Sequence, residues 1–140
     1  CKKFVLMFQK EVADRILAKP NNKSYSRITI LANLKLDIIK DFKVSKKCFF
    51  PSPKIDSKVI VFKPKTKINF KIKKIENLER ITQIFFANRR KMINKPFSKI
   101  FKNYKEVAKI LNINLNKRPS ELSCENFYEI TEQYEKINSK

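Results

Sequence analysis

The chain has no histidine and no glycine in 140 residues. Without an imidazole, Ser-His-Asp triads, Cys-His pairs and His-ligated metal sites are excluded. Without glycine, Gly-rich phosphate loops and the glycine signatures of nucleotide folds are excluded too. Average usage is near 7%, so about ten glycines are expected. Their absence, with Cys1 and not Met at the start, reads as a piece of a longer protein whose glycine-bearing part lies elsewhere. The three cysteines, Cys1, Cys48 and Cys124, are odd in number and form no CxxC pair. They indicate neither a disulfide framework nor a zinc site, and a reducing, cytoplasmic setting is the expectation. No run approaches the ~20 apolar residues of a membrane span.

Acidic residues are also scarce. Lys and Arg number 33 against 13 Asp and Glu, a formal net charge of +20. Such a balance implies a polyanionic partner, most often nucleic acid. Coding bias is the competing explanation, because 27 of the 33 basic residues are Lys and only 6 are Arg. The distribution favours a sided surface. Residues 63–105 carry 14 Lys/Arg and 2 acidic residues, whereas residues 119–140 carry 5 Glu and 2 Lys.

Hydrophobic residues make up 42% of the chain, enough for a real core; a chain of this size buries roughly 68–70% of its unfolded surface. Phe4 to Phe8 is a continuous apolar run that predicts a buried strand, of the kind found in a parallel sheet. Lys10 to Lys19 predicts a helix with Val12, Ala13, Ile16 and Leu17 on one face, stopped by Pro20-Asn21-Asn22. Ser26 is a candidate N-cap for a second helix with Ile28, Leu31, Ala32 and Leu34 inward. Ile38 to Val44 and Val59 to Phe62 predict strands, joined through a loop over Cys48 to Pro53. Residues 63–74, with six Lys and Pro64, read as a connector. Helical spacing then resumes at Ile75, Leu78, Ile81, Ile84 and Phe85, again at Phe97, Ile100 and Phe101 after Pro96, and again at Val107, Ile110 and Leu111. Ser123 is a candidate cap for a last helix with Phe127, Ile130 and Tyr134 inward. The expectation is an α/β part over residues 1–66 followed by an all-helical part over residues 67–140.

Phe49-Phe50-Pro51-Ser52-Pro53 is the segment richest in chemistry. Alternating prolines stiffen the backbone, and a stiff loop between strands can hold an aromatic ring in one place. Enzymes that act on a nucleobase extract it from its stack and hold it against aromatic or apolar side chains. Phe49 or Phe50 fits that role; a phenylalanine plugging the bottom of the sheet fits the composition as well.

Five segments then fall into one order. Phe49-x-Pro51-x-Pro53-Lys54-Ile55-Asp56-Ser57 resembles the Phe-x-Pro-x-Pro-x-Val-Asp-Ser signature of the small-subunit ribosomal RNA adenine N6,N6-dimethyltransferases. Gln9-Lys10-Glu11-Val12-Ala13-Asp14-Arg15 is similar to that family's Gln-Lys-Glu-Val-Ala-x-Arg helix start. Lys23-Ser24-Tyr25-Ser26-Arg27-Ile28 resembles its Lys-x-Tyr-Gly-Arg-Leu turn, with Ser26 where Gly is usual. Phe86 to Lys91 resembles its Phe-x-x-Arg-Arg-Lys helix, and Arg118 to Ser123 its Arg-x-Glu-x-Leu-Ser turn. The resemblance implies the C-terminal part of a Rossmann-like, S-adenosylmethionine-dependent methyltransferase domain followed by a small helical RNA-binding domain. It implies methyl transfer to N6 of two adjacent adenines near the 3′ end of small-subunit rRNA, with that rRNA or its 30S precursor as partner.

The family's Gly-rich cofactor loop and Asn-Leu-Pro-Tyr catalytic motif lie upstream of the Gln-Lys-Glu segment, so no catalytic, cofactor-binding or metal residue is assigned in this chain. Carried over by motif, Phe49 packs on the flipped adenine while Pro51 and Pro53 hold its loop; Phe50 stands at the variable position. Asp56 and Ser57 fix the entry into the next strand. Arg89, Arg90 and Lys91 are the expected RNA contacts, on a helix, where three consecutive residues span about 200°; Lys10, Arg15 and Arg27 extend that surface. Arg118 is a candidate partner for Glu121. A non-catalytic basic RNA-binding or ribosome-assembly module is the alternative reading. The related large-subunit methyltransferases of macrolide resistance are a third, disfavoured by the Gln-Lys-Glu-Val-Ala helix and the Arg-Arg-Lys segment.

Overall fold

Val59, Ile60, Val61 and Phe62 are β-branched or aromatic, and they form the middle of the sheet. The computed structural model describes residues 2–52 and 54–138. Strand β3 (Ser57–Pro64) lies between β1 (Phe4–Gln9) and β2 (Leu36–Val44), antiparallel to both. Leu6 faces Ile60 and Phe4 faces Phe62, while Ile38 faces Phe62 across the other ladder. An irregularity between Ile38 and Lys40 shifts the β2 register. Helix α1 (Lys10–Leu17) covers one face, burying Ala13 and Ile16 against Ile60 and Phe62. The ring of Phe8 meets that of Phe62 edge-on at 6.2 Å.

Two expectations for β1 are corrected. Its partner strand is antiparallel, and Phe4, Val5, Leu6 and Met7 are exposed, not buried. A short apolar run does not by itself state its partner or its depth. Here β1 is an edge strand, and alternation turns Val5 and Met7 away from the face that α1 covers.

Helix α2 (Arg27–Lys35) follows Ser26, which has extended backbone angles and donates its N–H to Thr29 Oγ1 at 3.1 Å. The expected apolar face is corrected: Thr29, Ile30 and Leu34 are buried, whereas Ile28 is exposed. The helix is covered on two sides. Ala32 packs toward the sheet cluster, while Ile30, Leu34 and Leu31 join the cluster of the helices that follow. No single stripe describes such a helix.

Residues beyond β3 run without regular structure to α3 (Ile75–Phe86). This segment is more than a solvated connector, since Phe70 and Ile72 pack on the helical core. Then come α4 (Asn94–Ile100), α5 (Tyr104–Ile110) and α6 (Cys124–Asn138). Pro96 sits in the first turn of α4, where its missing N–H has no intrahelical acceptor to lose. Leu78, Ile81, Phe85, Ile93, Phe97, Phe127 and Ile130 are buried together, with Phe85 edge-on to Phe127 at 5.6 Å. In α5, Val107 and Ala108 are inward and Ile110 is exposed, correcting the expected face. Ser123 caps α6 as expected, its Oγ accepting from Asn126 N–H at 3.2 Å. Among the described residues Arg118 makes no ion pair with Glu121; its carbonyl accepts the Glu121 N–H instead, at 3.0 Å. Among them, too, no helix is long and apolar enough to cross a membrane.

Buried polar groups join the sheet-bearing part to the helices. Tyr128 Oη donates to the carbonyl of Ile30 at 2.5 Å, and Tyr25 Oη lies 3.5 Å from Cys124 Sγ. Burial pushes both tyrosine hydroxyls and the Cys124 thiol up, so all three stay protonated. Glu135, near the end of α6, accepts from the N–H groups of Lys73 (2.8 Å) and Lys74 (3.0 Å) and from Asn77 Nδ2 (2.7 Å). Its carboxylate thus ties α6 to the backbone just before α3, at the helix end where negative charge is favoured.

Burial acts to raise the Glu135 pKa, but those three donors outweigh it and hold the carboxyl below its ordinary 4.5. Its contribution to stability is therefore full above that ordinary value and lost as pH falls through the lower native one. Glu135→Gln is expected to cost about 1–3 kcal/mol at neutral pH, as for hydrogen bonds to a charged group. It should also flatten the acid limb of stability in urea unfolding. A variant with the same acid limb as the parent would refute this.

Candidate nucleic-acid interface

Two exposed features carry the expected site residues. The first is the loop from Ser45 to Asp56, between β2 and β3. Ser45 Oγ accepts from Lys47 N–H at 3.2 Å, starting a 3-10 turn over Lys46–Cys48. Asp56 Oδ1 accepts the N–H of Lys46 at 2.9 Å, so the carboxylate at the end of the loop holds its beginning. The Asp56 carbonyl accepts from Lys10 N–H at 3.0 Å, tying the loop to the start of α1. Ser57 opens β3, opposite both Gln9 and Val44. The Phe50–Pro51 peptide is cis. Pro53 lies outside the described residues.

Phe49, Phe50 and Pro51 line a cleft of about 570 Å3 together with Met7, Gln9, Lys54, Ile55 and Ser57. Phe49 is half-buried and Phe50 is fully exposed. The cleft lies where β1 ends and β3 begins, Gln9 and Ser57 both lining it. Its lining is mostly apolar, and among the described residues Lys54 is its one charged residue. A flat, neutral ring fits such a lining. Sequence reasoning missed Met7 and Gln9 as lining residues. The signal for them is a polar residue closing an apolar strand.

The second feature is the turn after α3. The expected helix over Arg89-Arg90-Lys91 is corrected: α3 ends at Phe86, and these residues lie in a turn closed by Lys91 N–H on the Asn88 carbonyl at 3.0 Å. The chain must turn here to bury Ile93, whose N–H reaches the Lys117 carbonyl at 2.8 Å. Arg89 donates through Nη2 to the carbonyls of Asn22 (3.2 Å) and Lys23 (2.5 Å), and its guanidinium lies 5.9 Å from the centre of the Phe86 ring. Arg90 and Lys91 are exposed, and among the described residues no carboxylate pairs with either side chain.

The three remaining expected contacts are also engaged within the chain. Arg27 donates to the Glu79 carbonyl (3.1 Å) and to Thr82 Oγ1 (3.4 Å). Arg15 pairs with Glu11 at 3.0 Å, while Lys10 and Lys58 share Asp14 at 3.1 and 2.6 Å. The hydrogen bond from Lys58, then that from Lys10, outweighs burial and lowers the Asp14 carboxyl below its ordinary value. No group of three or more potential metal ligands occurs among the described residues.

The model of one protein family, described as ribosomal RNA adenine dimethylase, matches residues 1–136. The chain belongs to that family. Among curated relatives, "Ribosomal RNA small subunit methyltransferase A" of Pelagibacter ubique (strain HTCC1062) is 47% identical over 133 residues, covering 95% of this chain and 50% of the relative. The protein of the same name from Ehrlichia canis (strain Jake) is 43% identical over 129 residues, covering 91% of this chain and 48% of the relative. The chain thus spans about half the length of the curated relatives it matches.

Among solved structures, a dimethyladenosine transferase from Plasmodium falciparum aligns with a TM-score of 0.73 at 25% identity, over 96% of this chain and 58% of that one. The 23S rRNA methyltransferase ErmE shares the fold alone, with a TM-score of 0.60 at 14% identity over 96% of this chain and 55% of the other. The three strands and six helices are accordingly part of a Rossmann-like methyltransferase domain followed by helices.

The basic turn of this family member divides by geometry. Arg89→Ala removes two hydrogen bonds and a cation–π contact at a partly exposed site, and is expected to cost about 1 kcal/mol in urea unfolding. Arg90→Ala and Lys91→Ala remove no ion pair among the described residues and are expected within about 0.5 kcal/mol of the parent. Equal costs at all three positions would show that Arg89 ties nothing.

Proposed function

We propose that the whole protein is an S-adenosylmethionine-dependent dimethyltransferase acting on N6 of two adjacent adenines near the 3′ end of small-subunit rRNA. Its substrate would be that rRNA, free or within a 30S precursor, in a cytoplasmic setting. We assign residues 1–66 to the end of the methyltransferase domain and residues 67–140 to a helical RNA-binding domain. Family membership supports the reaction class. The observation that carries the assignment to this chain is the cleft of about 570 Å3 built on Phe49 at the carboxyl end of β1. The family match speaks against a purely non-catalytic module.

In this reading Phe49 stacks on the target adenine, and Pro51 and Pro53 hold the loop. The ties from Asp56 to Lys46 and from Lys10 to Asp56 support it, because they fix the loop against β3 and α1. Positioning is the contribution such a wall makes: a weakly nucleophilic amine gains most from being held in a reactive geometry. RNA is gripped by Arg90 and Lys91 directly. Arg89, Arg27, Lys10 and Arg15 lie on the same proposed surface, where their internal partners set their positions. The chain has no glycine for a close phosphate or cofactor turn, and among the described residues no carboxylate lines the cleft to take a ribose hydroxyl. We therefore assign S-adenosylmethionine mainly to the part of the protein outside this chain.

In the whole protein, Phe49→Ala is expected to lower methylation about 5- to 150-fold, equivalent to the ~1–3 kcal/mol of base–aromatic stacking. RNA affinity, set mainly by phosphate contacts, should change far less. Equal losses in methylation and binding would make the ring structural. Calorimetry on this chain alone should detect no micromolar binding of S-adenosylmethionine; tight binding would overturn the placement of the cofactor.

A further inference from the structure

The turn at Arg90 and Lys91 opens into a cleft of about 260 Å3 between α3 and α4 that no assigned role uses. Lys91, Lys95 and Lys99 line it, and no Asp or Glu does among the described residues. Lys95 and Lys99 are one helical turn apart on α4, about 6 Å along the axis. All three lysines are exposed, and among the described residues no carboxylate pairs with their ammonium groups. Lys10, Lys58 and Arg15, by contrast, have carboxylate partners. The cleft also has an apolar wall that includes Ile84 and Met92, with the Gln83 amide beside it. Met92 is 54% exposed, an apolar side chain left open next to unpaired cations.

We propose that this cleft is a second RNA-binding site, which takes the backbone and one unstacked base of a single-stranded RNA segment leaving the Arg90–Lys91 turn. The inference rests on the RNA-binding reading above and deepens it, naming a cleft of the helical part that continues from the Arg90–Lys91 turn to Lys95 and Lys99. Charge complementarity and continuity carry it. Three free ammonium groups with no carboxylate suit consecutive phosphates. The Ile84–Met92 wall suits the face of a base, and an amide offers a donor and an acceptor to its edge. A double-stranded segment would satisfy the lysines and leave the apolar wall open.

The test is a salt titration of this chain with a labelled single-stranded oligoadenylate RNA. The variants are Lys95→Ala/Lys99→Ala, Arg90→Ala/Lys91→Ala and, as a control away from the cleft, Lys105→Ala/Lys109→Ala. Unfolding midpoints check that each variant is folded; the replaced side chains are all exposed. The Lys95/Lys99 pair should flatten the log–log salt slope by about 1.4, the value for two phosphates on a single strand. The control should change it by much less. A slope unchanged in the Lys95/Lys99 pair, with the Arg90/Lys91 pair still flattening it, overturns this inference alone. A parent chain that binds no RNA overturns the reading on which it rests. Equal flattening in the control means that net charge, not the cleft, carries binding, and overturns the inference. So does polyglutamate competing at the same lysines as well as RNA does, because it has no base to fill the apolar wall.

Discussion

Helix α2 is buried from two sides, and the rest of the architecture depends on that. Ala32 packs toward the sheet cluster, whereas Tyr25, Ile30 and Leu34 belong to the cluster of α3 to α6. Neither cluster is closed without it. Tyr128 donates to the backbone of α2, and Arg27, at its first position, donates to the backbone of α3. Thr29 donates to the carbonyl of Arg15, joining α2 to α1. A shear between the two parts would expose apolar surface and orphan buried polar groups together, and each orphan costs about 1–3 kcal/mol. The Phe49 loop and the basic turn are therefore held in one frame, although 40 residues of sequence separate Phe49 from Arg89.

The arginines and lysines divide this work in a way that composition conceals. Arg27 and Arg89 spend their forks on backbone carbonyls across the join, while Arg15 closes a pair within α1. The planar guanidinium that suits it to phosphate suits it equally to two neighbouring carbonyls. Sequence reasoning cannot separate these uses, because both require the same side chain near the same turn. A lysine holds its charge at the end of a flexible stem and is a poorer structural fork, so lysines dominate what remains free. The net charge of +20 is thus mostly an external property. The arginines singled out by motif serve in part as ties.

Local signals were legible wherever one physical cause acted alone. Ser123 capped its helix, Pro20 to Asn22 stopped α1, and the β-branched run at Val59 to Phe62 formed the central strand. The Phe49 loop was marked by its prolines, and a cleft lined by Phe49, Phe50 and Pro51 lies beside it. The errors arose where tertiary partners set the outcome. The apolar pattern of α2 was read as one stripe, but two neighbours share the helix. Ile110 has the right spacing for the α5 core and is exposed, because Ala108 fills the close approach instead. Arg89 to Lys91 carry no helix breaker; what ends α3 is the demand that Ile93 reach the core. The tie made by Glu135 is not legible in the sequence, because its donors at Lys73, Lys74 and Asn77 lie about 60 positions away.

That frame matters to the proposed function, in which the two exposed features recognise RNA in different ways. Phosphate contacts position a nucleic acid and carry little sequence information, whereas base contacts specify it. The turn and the α3–α4 cleft are rich in free cations and suit the first task. The Phe49 cleft has one cation and a largely apolar lining, and suits the second. Charge alone would slide along any RNA, and an aromatic wall alone would accept any base. Discrimination arises only if the distance between grip and wall is constant, so that one base reaches Phe49 when the backbone is seated. In this chain that distance is set by Tyr25, Ile30, Leu34, Arg27 and Arg89, none of which needs to touch the base. Selectivity is thus a property of the join between the two parts as much as of either surface.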